Sequence, residues 1–226
     1  MPTRPSMPWL PEAGDVRARL PLLPAMDPVA ARSEIRALAN RDLDFVQTNA
    51  LDRRAAAVAV SDTATPPVRL AVLGSATTDH LHAAIRVAGL RRGLRLSIHQ
   101  PDFNQYRAAV LDRGSSLHAF APDFVLFALD AAHVCAGIHP ALSEAEAADA
   151  LDDALSGLAA LWDVVRDEMR ATVVQQTVIP SIPPLMGSNE HRLPGSPAAF
   201  VARFNAALRE RADRHGVHLL ALDDRI

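Results

Sequence analysis

The sequence predicts an α/β protein: a three-layer α/β/α sandwich around a five-stranded parallel sheet, with an irregular and helical appendage over residues 1–60. Three observations carry this. Beyond about residue 67, apolar runs of five or six residues recur, each bounded by turn residues. Longer segments with helical periodicity lie between them, so strand and helix alternate as βαβ units require. Runs such as Phe124-Val-Leu-Phe-Ala-Leu129 are apolar throughout, which suits central strands covered on both faces. The alternation predicts strand order 2-1-3-4-5 with right-handed crossovers, over roughly residues 67–226.

Residues 1–25 are Pro-rich and read as irregular. A helical pattern follows from Asp27 to Val58. Pro28 suits its first position, and Leu38, Leu43, Phe45, Val46 and Leu51 could supply an apolar face. The segment 61–67, Ser-Asp-Thr-Ala-Thr-Pro-Pro, reads as a linker. Val68–Leu73 is the first strand, closed by Gly74. Thr78–Arg92 is a helix with Leu81, Ile85 and Leu90 near one face and Gly93 as its stop. Leu94–Ile98 is the second strand and Asn104–Leu111 a short helix. Phe124–Leu129 is the third strand. Ser143–Arg170 is a long helix, in which Ser143 and Glu146 fit a capping box. Thr172–Ile179 is the fourth strand, broken by Pro180. Ser196–His215 is the last helix, capped by Gly216, and Val217–Leu222 is the fifth strand.

Composition narrows the function classes. The chain has 226 residues, 49% of them apolar, enough for a sizeable core. Its 23 basic and 26 acidic residues give a net charge of −3, which argues against a nucleic-acid partner. Every basic residue is Arg, so lysine Schiff-base chemistry and a P-loop lysine are excluded. The one cysteine, Cys135, cannot form an intrachain disulfide. Its flank, AHVCAGIHP, reads as a small buried hydrophobe rather than a reactive thiol. No stretch resembles a signal peptide, and no window approaches the roughly 18 apolar residues of a membrane span. The expectation is a cytoplasmic protein with no membrane partner.

Parallel sheets of this kind bind ligands beyond the carboxyl ends of their strands. That rule selects Gly74, Ser75, Thr77 and Thr78 after the first strand. After the second it selects Asp102, Asn104 and Gln105, after the third Asp130, and after the fourth Asn189 and His191. Ser75 is the candidate catalytic residue, either a nucleophile or an anion contact at a helix start; the bland alternative is a turn or cap residue. A nucleophilic serine needs a base within hydrogen-bond reach and a third group to orient it. His80 and His82 lie two apart, so they face different sides of a helix and lack metal-ligand spacing. The nine histidines are scattered, and no metal site is expected. The long Pro- and Gly-rich loop 179–196 is either a functional loop or a surface excursion held by prolines.

Several segments taken together resemble the N-terminal domain of FkbH-like proteins. These are Thr78-Asp79-His80-Leu81, Phe103-Asn104-Gln105-Tyr106, and Ser115 or Ser116 with Leu117, Phe120, Pro122 and Asp123. Upstream, Pro8-Trp9-Leu10-Pro11 and Leu38-Ala39-Asn40 with Leu43 fit the same pattern. Downstream it is completed by Val174-Gln175-Gln176-Thr177, Gly187, Leu193-Pro194-Gly195-Ser196 and Asn205. The resemblance implies a flavodoxin-like fold related to SGNH hydrolases. It also implies a place in polyketide biosynthesis, where a HAD-type phosphatase-like domain and this one load a glyceryl-type unit onto an acyl carrier protein. Mg²⁺ is expected only in the HAD-type domain, and this chain is expected to be a fragment or isolated domain needing no cofactor. Against the SGNH pattern, Ser75 matches the nucleophile's place. The Asn expected after the third strand is replaced by Leu129-Asp130-Ala131, and no Asp-x-x-His pair follows the fifth strand. The expectation is a recognition or assembly domain. The rivals are a serine esterase or acyltransferase using Ser75, with His133 or His191 as base, and a purely structural interaction domain.

Overall fold

The computed structural model describes residues 9–59 and 67–225. Five strands form one parallel sheet: β1 (Val68–Gly74), β2 (Leu96–His99), β3 (Phe124–Ala128), β4 (Thr172–Gln176) and β5 (His218–Leu220), in order β2-β1-β3-β4-β5. The helices are α1 (Val16–Arg19), α2 (Pro28–Ala39), α3 (Phe45–Ala59), α4 (Asp79–Arg91), α5 (Tyr106–Leu111), α6 (Ser116–Phe120), α7 (Ala131–Val134), α8 (Glu144–Asp167) and α9 (Pro197–His215). The strand order matches the sequence-based expectation, and so do α4, α5, α8 and α9 between the strands; the short α6 and α7 are additional. The chain falls into two compact units. One is Met1–Val68 with Thr78–Ser97; the other is Arg69–Thr77 with Ile98–Ile226.

In the sheet unit, Leu70 pairs with Phe124, and the register runs to Gly74 opposite Ala128. Val125 and Phe127 are fully buried, whereas Leu126 is half-buried and Phe124 is 40% exposed. The apolar run is therefore not equally covered along both faces. Leu73, Val125 and Phe127 join one core with Tyr106 and Val110 of α5, Leu158 and Trp162 of α8, and Phe200 and Phe204 of α9. Burying each such side chain is worth about 1.5–3 kcal/mol. The capping box of α8 forms as expected, with Ser143 Oγ accepting from Glu146 N and Glu146 accepting from Ser143 N. Gly216 ends α9 at φ 65°, a conformation that costs a glycine little.

β4 stops at Gln176, short of the expected Ile179. The reason lies on α9: Asn205 accepts from Val178 N at 2.8 Å and donates to Val178 O at 2.8 Å. A buried amide side chain thus takes the backbone groups that a longer strand would have paired. Just before it, Thr177 Oγ1 accepts from Leu222 N at 2.9 Å.

In the helical unit, the single helix expected over 27–58 is two. Asn40 closes α2, its backbone N–H and Nδ2 both donating to Arg36 O. α3 starts with a reciprocal cap in which Gln47 N donates to Asp44 Oδ1 and Asp44 N donates to Gln47 Oε1. Asp44 and Gln47, three apart, are the sequence signal for this helix start. Leu38, Leu43 and Leu51 are buried as expected, but Phe45 and Val46 are 66% and 64% exposed. Residues before 25 are not all irregular. Val16 lies in α1, and a 3₁₀ turn over Leu20–Ala25 carries Leu20 and Leu23 into the same core. On α4, Ala83 and Val87 are buried, while Leu81 is 45% exposed. Apart from Pro67, the expected linker 61–67 lies outside the described residues. No helix among the described residues is long and apolar enough to cross a membrane.

Candidate functional site

The end of β1 is tied to the end of β3 by side chains. Ser75 N donates to Ala128 O at 3.4 Å, one step past the last register pair. Ser75 itself is 5% exposed. Its hydroxyl donates to Asp130 Oδ2 at 3.0 Å and accepts from Asp130 N at 2.9 Å. The other carboxylate oxygen, Oδ1, accepts from His133 N at 2.8 Å and so caps α7. Ser75 and Asp130 thus form a closed clasp.

Beyond it, α7 and α5 bring a second polar group together. Tyr106 is 1% exposed, and its hydroxyl lies 2.9 Å from His133 Nε2. Arg107 Nε donates to the same hydroxyl at 3.2 Å, so the Tyr106 oxygen joins Arg107 to His133. Burial holds His133 below the ordinary histidine pKa; Asp130 acts in the opposite sense and Arg107 adds to the lowering. Tyr106, Arg107 and His133 line a cavity of about 170 Å³ whose remaining wall is apolar, including Leu129, Leu158, Phe200 and Phe204. Arg107 lies across α8 where Gly157 has no side chain: a Cβ there would come within 3.2 Å of Nη2.

The other sequence candidates do not join Ser75. Gly74 is the last residue of β1, and Thr77 is exposed. Thr78 is 7% exposed and belongs to the helical unit, at the start of α4. Asp102, Asn104 and Gln105 are exposed in a turn closed by Gln105 N donating to Asp102 O at 3.0 Å. Asn104 adopts φ 56° there, a left-handed position that asparagine tolerates. Asn189 and His191 are exposed in the 3₁₀ turn Gly187–Arg192. Among the described residues none of these five hydrogen-bonds to Ser75 or Asp130. Cys135 is 8% exposed and its thiol is pushed up to about 11 by burial, in keeping with a packing role. No group of three or more His, Cys, Asp or Glu side chains among the described residues is arranged to hold a metal ion.

Tyr106 entered the sequence reading only within a motif, and Arg107 not at all. The one signal available was that Tyr106 is the single tyrosine of the chain.

A family model for the N-terminal domain of FkbH matches residues 69–222, more than half of the chain. The chain belongs to the FkbH N-terminal domain family. Among solved structures, the fold is similar to the N-terminal part of BF1531 from Bacteroides fragilis, a protein containing a phosphatase domain and complexed with Mg. That match has a TM-score of 0.60 and 17% identity, and it covers 86% of this chain. This FkbH-type chain spans 46% of that structure. A GDSL-like lipase, BT0569 from Bacteroides thetaiotaomicron, matches at TM-score 0.44 and 12% identity, over 79% of this chain and 78% of the lipase. No curated protein matches.

Proposed function

We propose that this FkbH N-terminal domain is a recognition and assembly module for loading a glyceryl-type three-carbon unit onto an acyl carrier protein, and that it does not itself cleave acyl bonds. Family membership supports the setting. A HAD-type domain would supply the Mg²⁺-dependent chemistry, as the phosphatase domain named in the BF1531 structure suggests. The carrier protein and that domain would be its partners in the cytoplasm.

The observation that carries the non-hydrolytic reading is the Ser75–Asp130 clasp. A serine nucleophile must pass its proton to a base such as imidazole, and general-base help is worth about 10²–10⁴-fold. The Ser75 hydroxyl donates a hydrogen bond to the Asp130 carboxylate rather than to an imidazole, and its oxygen accepts a backbone N–H. The imidazole nearest Asp130 in sequence, His133, has its Nε2 engaged by Tyr106. The hydroxyl therefore fastens two strand ends. The cavity beside Tyr106 and Arg107 is where a unit of a few carbons would be received in this unit.

The test has two arms. Turnover of p-nitrophenyl acetate is measured for the wild type and Ser75→Ala, with melting curves confirming that both are folded. Equal, near-background rates are expected. Robust turnover abolished by Ser75→Ala would overturn the reading and establish a serine esterase. Titration with acyl carrier protein by calorimetry is expected to give saturable binding; its absence from the folded wild type would remove the recognition role.

A further inference from the structure

The helical unit holds a cavity of about 730 Å³ that the family assignment does not explain. Its walls are α2, α3, α4 and the segment 93–97. On α2, Pro28, Arg32 and Arg36 recur at intervals of four and so share a face; on α3, Ala55 and Ala56 lie three and four residues after Asp52, on its face. α4 adds Arg86 and Leu90, and Leu94, Arg95 and Leu96 follow. The space exists because small residues line it: Ala55, Ala56 and Gly93. Its size falls within the range of small-molecule sites, roughly 300–1,000 Å³.

The lining carries an unbalanced charge. Among the described residues, four arginines, Arg32, Arg36, Arg86 and Arg95, face it with Asp52 as the one acidic side chain. Asp52 is already committed, since Arg86 Nε and Nη2 donate to its two oxygens at 2.8 and 2.7 Å. Arg32 and Arg95 have interactions elsewhere in the chain. Arg36 is exposed and makes no ion pair among the described residues. Its guanidinium passes beside Gly93, where a Cβ would come 3.9 Å from Nη1. Ile35, Val58, Leu90, Leu94 and Leu96 give the wall an aliphatic stretch, and Ser33 and Ser97 also line it.

We propose that this cavity binds an anionic amphiphile, a molecule with an unbranched apolar body and one carboxylate or phosphate. Arg36 anchors the anion and Arg32 assists it, while the body lies along Leu90 and Leu96. A guanidinium holds either oxyanion through paired N–H donors. Neither half of the ligand suffices alone: an aliphatic wall gives no reason for the arginines, and an inorganic anion leaves the apolar wall in water.

The experiment is calorimetric titration of the full chain with decanoate, decyl phosphate and decanol. Decanoate and decyl phosphate distinguish a fatty-acid source from a phosphate headgroup. Decanol tests whether charge is required. Saturable binding of at least one anion is expected, with decanol weaker by about tenfold or more, the usual worth of a charged hydrogen bond. Arg36→Gln, an exposed position, is expected to weaken the anion by about the same factor. Ala56→Trp, which fills the cavity from α3, is expected to abolish it, and melting curves verify that both variants fold. Three results would overturn the proposal: no saturable anion binding by the wild type, decanol binding as tightly as decanoate, or wild-type affinity retained in both folded variants. None of these outcomes depends on esterase activity or on carrier-protein binding.

Discussion

In the sheet unit Trp162, Tyr106, Phe127, Phe200 and Phe204 are fully buried, and Ser75, Gln175, Thr177, Ser196 and Asn205 are buried with them. In the helical unit the core is Leu23, Ile35, Leu38, Leu51 and Val87 with their neighbours, and among the described residues it contains no aromatic ring. Its one buried polar residue among those described is Thr78. The sheet unit pairs several of its buried polar groups internally: Trp162 Nε1 donates to Gln175 Oε1 at 3.1 Å, and Asn205 clasps Val178. The helical unit instead places its polar contacts towards its edges. Arg19 meets Glu34 at 2.6 Å, Arg86 meets Asp52, and Arg91 donates to Ala39 O. Buried and fully satisfied polar groups fix one arrangement, because any other leaves an orphan in low dielectric. An aliphatic core accepts small rearrangements more readily. The unit with the aromatic core and the buried side-chain hydrogen bonds is the one that holds the Ser75–Asp130 clasp, and the aliphatic one holds the larger cavity.

The contrast is broken most sharply at Trp162. Trp162→Ala removes the largest fully buried side chain and leaves Gln175 Oε1 without its Trp162 donor, and is expected to cost about 3–5 kcal/mol in urea unfolding. A loss no larger than that of an exposed substitution would show that the aromatic core does not dominate. Next comes Gly195. A methyl group there would overlap the His139 carbonyl oxygen and crowd Leu142 Cβ, at backbone that cannot easily yield. Gly195→Ala is expected to cost about 1–3 kcal/mol, read as a lowered melting temperature. A neutral outcome would mean that the 193–196 turn relaxes freely.

On the helical side, Asp52→Ala removes one partner of a partly exposed pair, with Asp52 at 12% and Arg86 at 35% side-chain exposure. About 1 kcal/mol or less is expected, since such pairs are screened by water. A loss as large as that at Trp162 would erase the distinction between the units.

The smallest expected effect is a pH dependence. His133 and His99 have pKa values lowered by burial. The unfolded chain then binds protons more readily, so the stability from neutral imidazole is complete above the ordinary pKa of about 6.5 and declines as pH falls below it. Melting temperature should drop between pH 7 and 5, and His133→Gln should flatten that slope. An unchanged slope would place the proton uptake elsewhere.

Much of the fold was legible because it rests on local signals. The strands β1 and β3 are apolar runs, α8 opens with Ser143 and Glu146, and α9 ends at Gly216. The clefted arrangement imagined around Ser75 was less legible. Asp102, Asn104, Gln105, Asn189 and His191 do follow strand ends, but turn geometry leaves them exposed. Tyr106 and Arg107 were passed over because adjacency in sequence says nothing about meeting His133.

By itself, then, the sequence determined what period and punctuation determine: strand–helix alternation, the parallel sheet order, the caps, and an all-arginine basic complement. The tertiary structure decided what depends on pairing across distance. It placed Ser75 against Asp130, 55 residues away, and so turned a candidate nucleophile into a fastening. It ended β4 early because Asn205, 27 residues on, takes the Val178 backbone. It packed α4 with α2 and α3 and opened a cavity among them, because Ala55, Ala56 and Gly93 are too small to fill the space their helices enclose. Hydrogen-bond partners and voids are properties of three-dimensional neighbours, which no periodicity along the chain encodes.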